Sequence, residues 1–139
     1  MDNDDLLKAL DNENNTSIMK LNSKKVKQEK YNMIRELNLE PSNMVEMMNK
    51  LKKYRLVDEL QDIHYGSYIR WIKITDPTSI KLTNGGIIID IKIVDDGCQI
   101  ICKNAYNAIM QIRLSENIIF QKITDQENVI LSALDYLNK

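Results

Sequence analysis

The sequence predicts an α+β fold: N-terminal helices, then a small antiparallel β-barrel or rolled sheet of five or six strands (SH3-, Sm- or OB-like), then a C-terminal helix. Three observations predict it. Residues 68–123 are dense in isoleucine that alternates with polar residues. Turn dipeptides cut that stretch at short intervals. Apolar residues at helical spacing flank it on both sides. A chain of 139 residues is long enough for one core and short for two. The expected organisation is an acidic, flexible segment over 1–22, a helical region over 23–64, and the small barrel with its helix over 65–139.

Leu6, Leu7 and Leu10 fit one face of a short helix, whereas Asp11 to Ser17 is polar and aperiodic and reads as a flexible linker. Ser23 offers an N-cap, and Val26, Met33, Ile34 and Leu37 recur at helical spacing up to Asn38. Pro41 breaks that pattern. Ser42 then offers a second cap, with Met44, Val45, Met48 and Leu51 as the stripe of a helix to about Tyr54. A last helical piece is expected over Leu56 to Ile63.

Tyr68 to Thr75 is aromatic and β-branched and ends at Asp76-Pro77, as a strand and its turn would. Ile80 to Thr83 leads into Asn84-Gly85-Gly86, a hairpin signal. Ile87, Ile89, Ile91 and Ile93 then share one face and Asp90 and Lys92 the other, which assigns those isoleucines to the core. Asp95-Asp96-Gly97 is a second hairpin turn, followed by Cys98, Ile100 and Cys102 on one face. After a loop over Asn104 to Asn107, Met110, Ile112 and Leu114 mark a further strand. Ser115-Glu116-Asn117 turns it into Ile118 to Ile123. Thr124-x-x-Glu127 has the form of a capping box, and Val129, Ile130, Ala133, Leu134 and Leu137 give the final helix its apolar stripe.

Composition narrows the chemistry. The first five residues are acidic where a secretory leader is basic, and no apolar run approaches the ~20 residues that span a bilayer. An intracellular protein that is not secreted and engages no membrane is expected. Cys98 and Cys102 lie four apart on one strand, about 13 Å between Cα atoms, which is too far for a disulfide. No Cys-x-x-Cys or His-x-x-x-His spacing suggests a metal, and no phosphate loop follows Gly85-Gly86. His64 is the sole histidine, so any Ser-His-Asp or Cys-His arrangement would depend on it alone. The expectation is no enzyme, no metal and no cofactor.

Two surfaces remain. Net charge is −1, but residues 1–19 sum to −4, residues 20–55 to +6 and residues 56–139 to −3. Lys20, Lys24, Lys25, Lys27 and Lys30 form one basic run, and Lys50, Lys52, Lys53 and Arg55 another. Either could contact nucleic-acid phosphates. The second surface is Tyr65, Tyr68, Arg70 and Trp71, residue types that dominate protein interfaces. Alternation puts Tyr68 and Arg70 on one face and Ile69 and Trp71 on the other.

The strings Gly66-Ser67-Tyr68-Ile69-Arg70-Trp71-Ile72, Leu82-Thr83-Asn84-Gly85-Gly86 and Ser115-Glu116-Asn117-Ile118-Ile119-Phe120 resemble small uncharacterised proteins of nucleocytoplasmic large DNA viruses. The resemblance covers the C-terminal half, agrees with a composition rich in residues of AT-rich codons, and carries no catalytic residues with it. It implies a structural or accessory component of a virus, in host cytoplasm or virion. Leu82-Thr83-Asn84-Gly85 is also similar to the first Sm motif. The chain departs from that family where a later Gly adjoining an Arg should stand, which puts ring assembly and uridine binding in doubt.

The leading expectation is a non-enzymatic interaction or scaffolding protein that docks on a protein partner. The alternative is a nucleic-acid-binding module using the basic helices. A homo-oligomer is compatible with either.

Overall fold

A computed structural model describes residues 3–15, 17–95 and 97–138. Among them are helices α1 (Asn3–Asp11), α2 (Ser23–Arg35), α3 (Pro41–Lys50) and α4 (Asp125–Leu137). The strands are β1 (Tyr54–Val57), β2 (Tyr68–Lys73), β3 (Gly86–Val94), β4 (Gly97–Lys103), β5 (Ile109–Arg113) and β6 (Asn117–Lys122). They form one antiparallel sheet in the order β1-β6-β2-β3-β4-β5, with β1 and β5 as its edges. The fold is therefore α+β with a C-terminal helix, and the sheet is not closed into a barrel. After β5 a 3-10 turn at Leu114–Glu116 carries the chain back across the sheet, so that β6 enters between β1 and β2.

Residues directly opposite one another in a ladder share a face. On the inner face, Val57, Ile69, Trp71 and Ile119 from the β1-β6-β2 half join Ile88, Ile100, Cys102 and Ile112 from the β3-β4-β5 half in one buried cluster. Strands at opposite ends of the sheet share that cluster, so the sheet curls around it. The outer face of β1-β6-β2 presents Ile72, Ile118 and Phe120, which bury against Ile34 of α2, Met47 of α3 and Leu51. A third cluster joins Ala9, Ile18 and Val26 to Ile130 and Leu131 of α4. The C-terminal helix thus packs on other helices.

Two bulges displace the expected alternation. Leu82 bridges Ile72, and Thr83 N–H donates to the Trp71 carbonyl, whereas Gly86 pairs with Ile69 and Ile87 with Tyr68. Asn84 and Gly85 together therefore oppose Arg70, and the expected Asn84-Gly85-Gly86 hairpin is a bulge in one line of chain running along β2. Glycine is required there: Gly85 has φ +90°, and a Cβ would stand 2.1 Å from the Ile69 carbonyl oxygen. Between β3 and β4 the register shifts after Ile88, leaving Ile89 unopposed. Ile88 consequently points into the core and Ile87 and Ile89 do not; beyond the bulge Ile91 returns to the inner face, while Ile93 is exposed near the tip. The Asp95-Asp96-Gly97 hairpin forms, with Val94 opposite Gly97; Asp96 itself lies outside the described residues.

Other expectations need correction. Asn22, not Ser23, caps α2, its side chain accepting from Lys25 N–H, and α3 starts at Pro41 after Glu40. Tyr54 to Val57 is a strand, so the helical piece expected over Leu56 to Ile63 reduces to a 3-10 turn at Leu60–Asp62. Four residues are too few to show period two. Of Asp11 to Ser17, expected as a flexible linker, Thr16 lies outside the described residues, while 11–15 holds a 3-10 turn at Glu13–Asn15 and docks on α4: Asn12 Nδ2 donates to Gln126 Oε1 at 2.8 Å, and buried Asn15 donates to the Ala9 carbonyl. On α1 it is Ala9 that faces inward, leaving Leu7 and Leu10 exposed; on α4, Leu131 is buried and Leu137 exposed.

Candidate functional site

The cross-strand registers align Tyr68, Ile87, Lys103 and Ile109 in one row across β2, β3, β4 and β5 on the outer face. The next rows are Asp90-Ile101-Gln111 and Lys92-Gln99-Arg113. Ile87 and Ile109 keep 46% and 64% of their surface exposed, and Ile89 on the bulge is similarly open. Helices cover the outer face of the other half of the sheet at Ile72, Ile118 and Phe120.

Of the four residues singled out as an interaction cluster, Trp71 is buried in the inner core and reaches no surface. Tyr68 and Arg70 are half-buried on the outer face, as alternation required, and both fasten the bulged segment. Tyr68 Oη donates to the Asn84 carbonyl at 2.6 Å and Arg70 Nε to the Thr83 carbonyl at 2.7 Å. Tyr65 is exposed, its hydroxyl 3.5 Å from the Ile91 carbonyl.

The two basic runs divide. Lys20, Lys24, Lys25, Lys27, Lys52 and Lys53 are exposed, and Lys50 pairs with Glu46 at 2.9 Å on the helix surface. Lys30 and Arg55 are buried. Packing of α2 against α3 and α4 brings Lys27 and Lys30 from the first run together with Lys52 from the second. They line a cleft of about 490 Å³ with Ser23, Asn49, Asn128 and an apolar floor that includes Val26 and Leu131. No carboxylate lines it among the described residues. Burial, and then the neighbouring Lys27, lower the pKa of Lys30. Asn49, Asn128 and Ile109 carry no sequence signal, and alternation alone assigns Ile87 to the core, because their placement depends on helix packing and on the bulges.

A second cleft, of about 770 Å³, is of mixed sign. Lys20, Lys25 and Arg55 line it with Glu13, Glu29, Asp58, Glu59 and Asp62, beside His64. Burial and then Asp58 raise the pKa of Glu29, against Arg55 and Lys25. His64 Nε2 is buried and has no hydrogen-bond partner among the described residues. Burial pushes the Cys98 thiol up and that of Cys102 up to about 11, and both cysteines are free. Among the described residues no group of His, Cys, Asp and Glu is arranged to hold a metal, and no helix is long and apolar enough to cross a membrane.

With known proteins the chain has no match: none to a protein-family model, none to a curated protein and none to a solved structure.

Proposed function

We propose that the chain is a non-enzymatic docking protein, a small curled sheet of the SH3- or OB-like kind whose outer face on β3-β4-β5 receives a protein partner. The row Tyr68-Ile87-Lys103-Ile109 carries this reading. It sets exposed isoleucines beside a tyrosine and a lysine on a sheet face, and apolar and aromatic groups ringed by polar ones are the composition of a docking patch. Lys92, Lys103 and Arg113 outnumber Asp90 on this face, so the partner segment is apolar and acidic. The resemblance of the strings Gly66 to Ile72, Leu82 to Gly86 and Ser115 to Phe120 to viral proteins supports a partner in a viral particle or expression machine within the host cell.

The test is capture from the native source with wild type and an Ile87→Lys/Ile109→Lys variant, each verified as folded, followed by rebinding of the purified partner. Loss of rebinding in the variant supports the reading. Equal rebinding by both proteins, or a partner segment that is basic, removes it.

A second reading, nucleic-acid binding, draws on the exposed lysines of α2 and of the turn after α3. Fluorescence anisotropy with single-stranded and duplex oligonucleotides over a salt series tests it. Absence of binding at low salt eliminates it.

A further inference from the structure

We infer that the cleft between α2, α3 and α4 is a binding site for a phosphate group, with Lys30 at its base and Lys27 and Lys52 completing its cationic lining. The inference rests on neither reading above. It starts from the position of Lys30, which retains only 4% of its surface although it carries an ammonium group. Buried charges are ordinarily paired, since removing an ammonium from water is costly. Lys30 Nζ has three N–H donors, and the one bond it makes, at 2.8 Å, goes to the neutral Leu51 carbonyl. That carbonyl already accepts from Tyr54 N–H at 3.0 Å, so the backbone does not need the lysine.

The surroundings add positive charge instead of neutralising it. Lys27 and Lys52 line the same cleft, and neither side chain makes a hydrogen bond or ion pair among the described residues. Ser23, Asn49 and Asn128 supply neutral polar groups. Asp135 lies close by, but one of its carboxylate oxygens accepts from the Ser23 N–H at 2.8 Å and it is not part of the lining. Three ammonium groups around a recess without a carboxylate, with amides at its sides, form a complement to a tetrahedral oxyanion. The volume of about 490 Å³ admits a phosphate with an attached organic group.

The same phosphate chemistry could reach the cleft on a free phosphate compound or on a nucleic-acid backbone. Calorimetric titration of the full chain at low salt with inorganic phosphate, pyrophosphate, 5′-AMP and a short single-stranded oligonucleotide distinguishes them. Binding of pyrophosphate or 5′-AMP assigns the site to free phosphate compounds, and binding of the oligonucleotide alone assigns it to a nucleic-acid backbone; either supports the site. A Lys27→Met/Lys52→Met variant is expected to weaken the bound probe by at least about tenfold, as loss of charge-assisted contacts requires. The control Lys24→Met/Lys53→Met, which alters two lysines outside the cleft, should leave affinity within about twofold when screening is matched. No binding by any probe overturns the inference, as does equal weakening by the cleft and control variants. Lys30→Met serves as a further arm, and if it fails to fold the Lys27/Lys52 comparison still decides.

Discussion

Arg55 and Glu127 face each other in a buried ion pair, Nε donating to Oε2 at 3.0 Å, with only 3% and 1% of the two side chains exposed. The other carboxylate oxygen accepts from Thr124 N–H at 3.0 Å, and Thr124 Oγ1 accepts from Glu127 N–H at 3.1 Å. One carboxylate thus completes the capping box of α4 and anchors that helix to β1. Removing one member of a buried pair is far more damaging than replacing both. Glu127→Ala is therefore expected to lose about 3–5 kcal/mol in urea unfolding. Arg55→Met/Glu127→Leu should recover most of it, while Thr124→Ala should lose only about 1 kcal/mol. A double variant no better than Glu127→Ala would refute the pairing as the cause.

The two halves of that arrangement differ in how far the sequence discloses them. Thr124 and Glu127 are three residues apart, and a cap is built from local backbone, so the motif is readable from a short string. Arg55 is 72 residues from Glu127, and its four-residue strand is too short to carry a period. Among lysines of one basic run, nothing local separates buried Lys30 from exposed Lys27. The same limit applies to the sheet. Turn residues at 95–97 announce their hairpin, yet a bulge inverts the face of every residue beyond it while leaving the composition untouched. The proposed docking face is half legible for that reason: alternation separates Tyr68 and Arg70 from Trp71, but it also assigns Ile87, opposite Tyr68, to the core.

The bulge at Ile89 can be checked directly. Ile88→Ala, which empties a fully buried site, is expected to lose about 2–5 kcal/mol, and Ile89→Ala, one residue on, less than about 1 kcal/mol. Chemical denaturation of both variants compares them. A reversed order would restore the uninterrupted alternation and move Ile89 into the core.

Glycine at 85 makes a separate prediction, with Gly66 as its control. Both have positive φ, +90° and +79°, but a Cβ at Gly66 meets nothing within 4 Å. Gly66→Ala should therefore carry only the left-handed backbone penalty of about 1–2 kcal/mol. Gly85→Ala adds a collision with the Ile69 carbonyl and should be clearly more destabilised, with a lower melting temperature than Gly66→Ala. Equal losses would show that β2 yields freely at the bulge.

Thiol chemistry separates the two cysteines. The thiolate is the reacting form, and burial holds Cys102 up at about 11 in the inner core. Cys98, half-buried nearer the β3-β4 turn, is raised as well but is more accessible. Iodoacetamide at pH 8 followed by peptide mass mapping should label Cys98 slowly and Cys102 only on unfolding. Prompt labelling of Cys102 would mean that the inner face opens in the native state.

Lys30 gives the pH dependence. Burial holds its folded pKa below the ordinary lysine value of 10.5, so the folded state disfavours the ammonium that the unfolded chain carries freely. Below the folded pKa both states are protonated and the penalty is present in full. As pH rises from the folded value toward 10.5 the unfolded state binds more protons, and this group's contribution to stability increases. Tyr54 and Cys102 act in the opposite sense, because their raised folded values are lost stability as the pH climbs through them. Subtraction isolates the lysine. Lys30→Met should be more stable than wild type at pH 7, and the advantage should shrink as pH approaches 10.5. Melting curves of both proteins at several pH values measure it. A Lys30→Met protein less stable than wild type at neutral pH would mean that the hydrogen bond to the Leu51 carbonyl outweighs the cost of burying the ammonium.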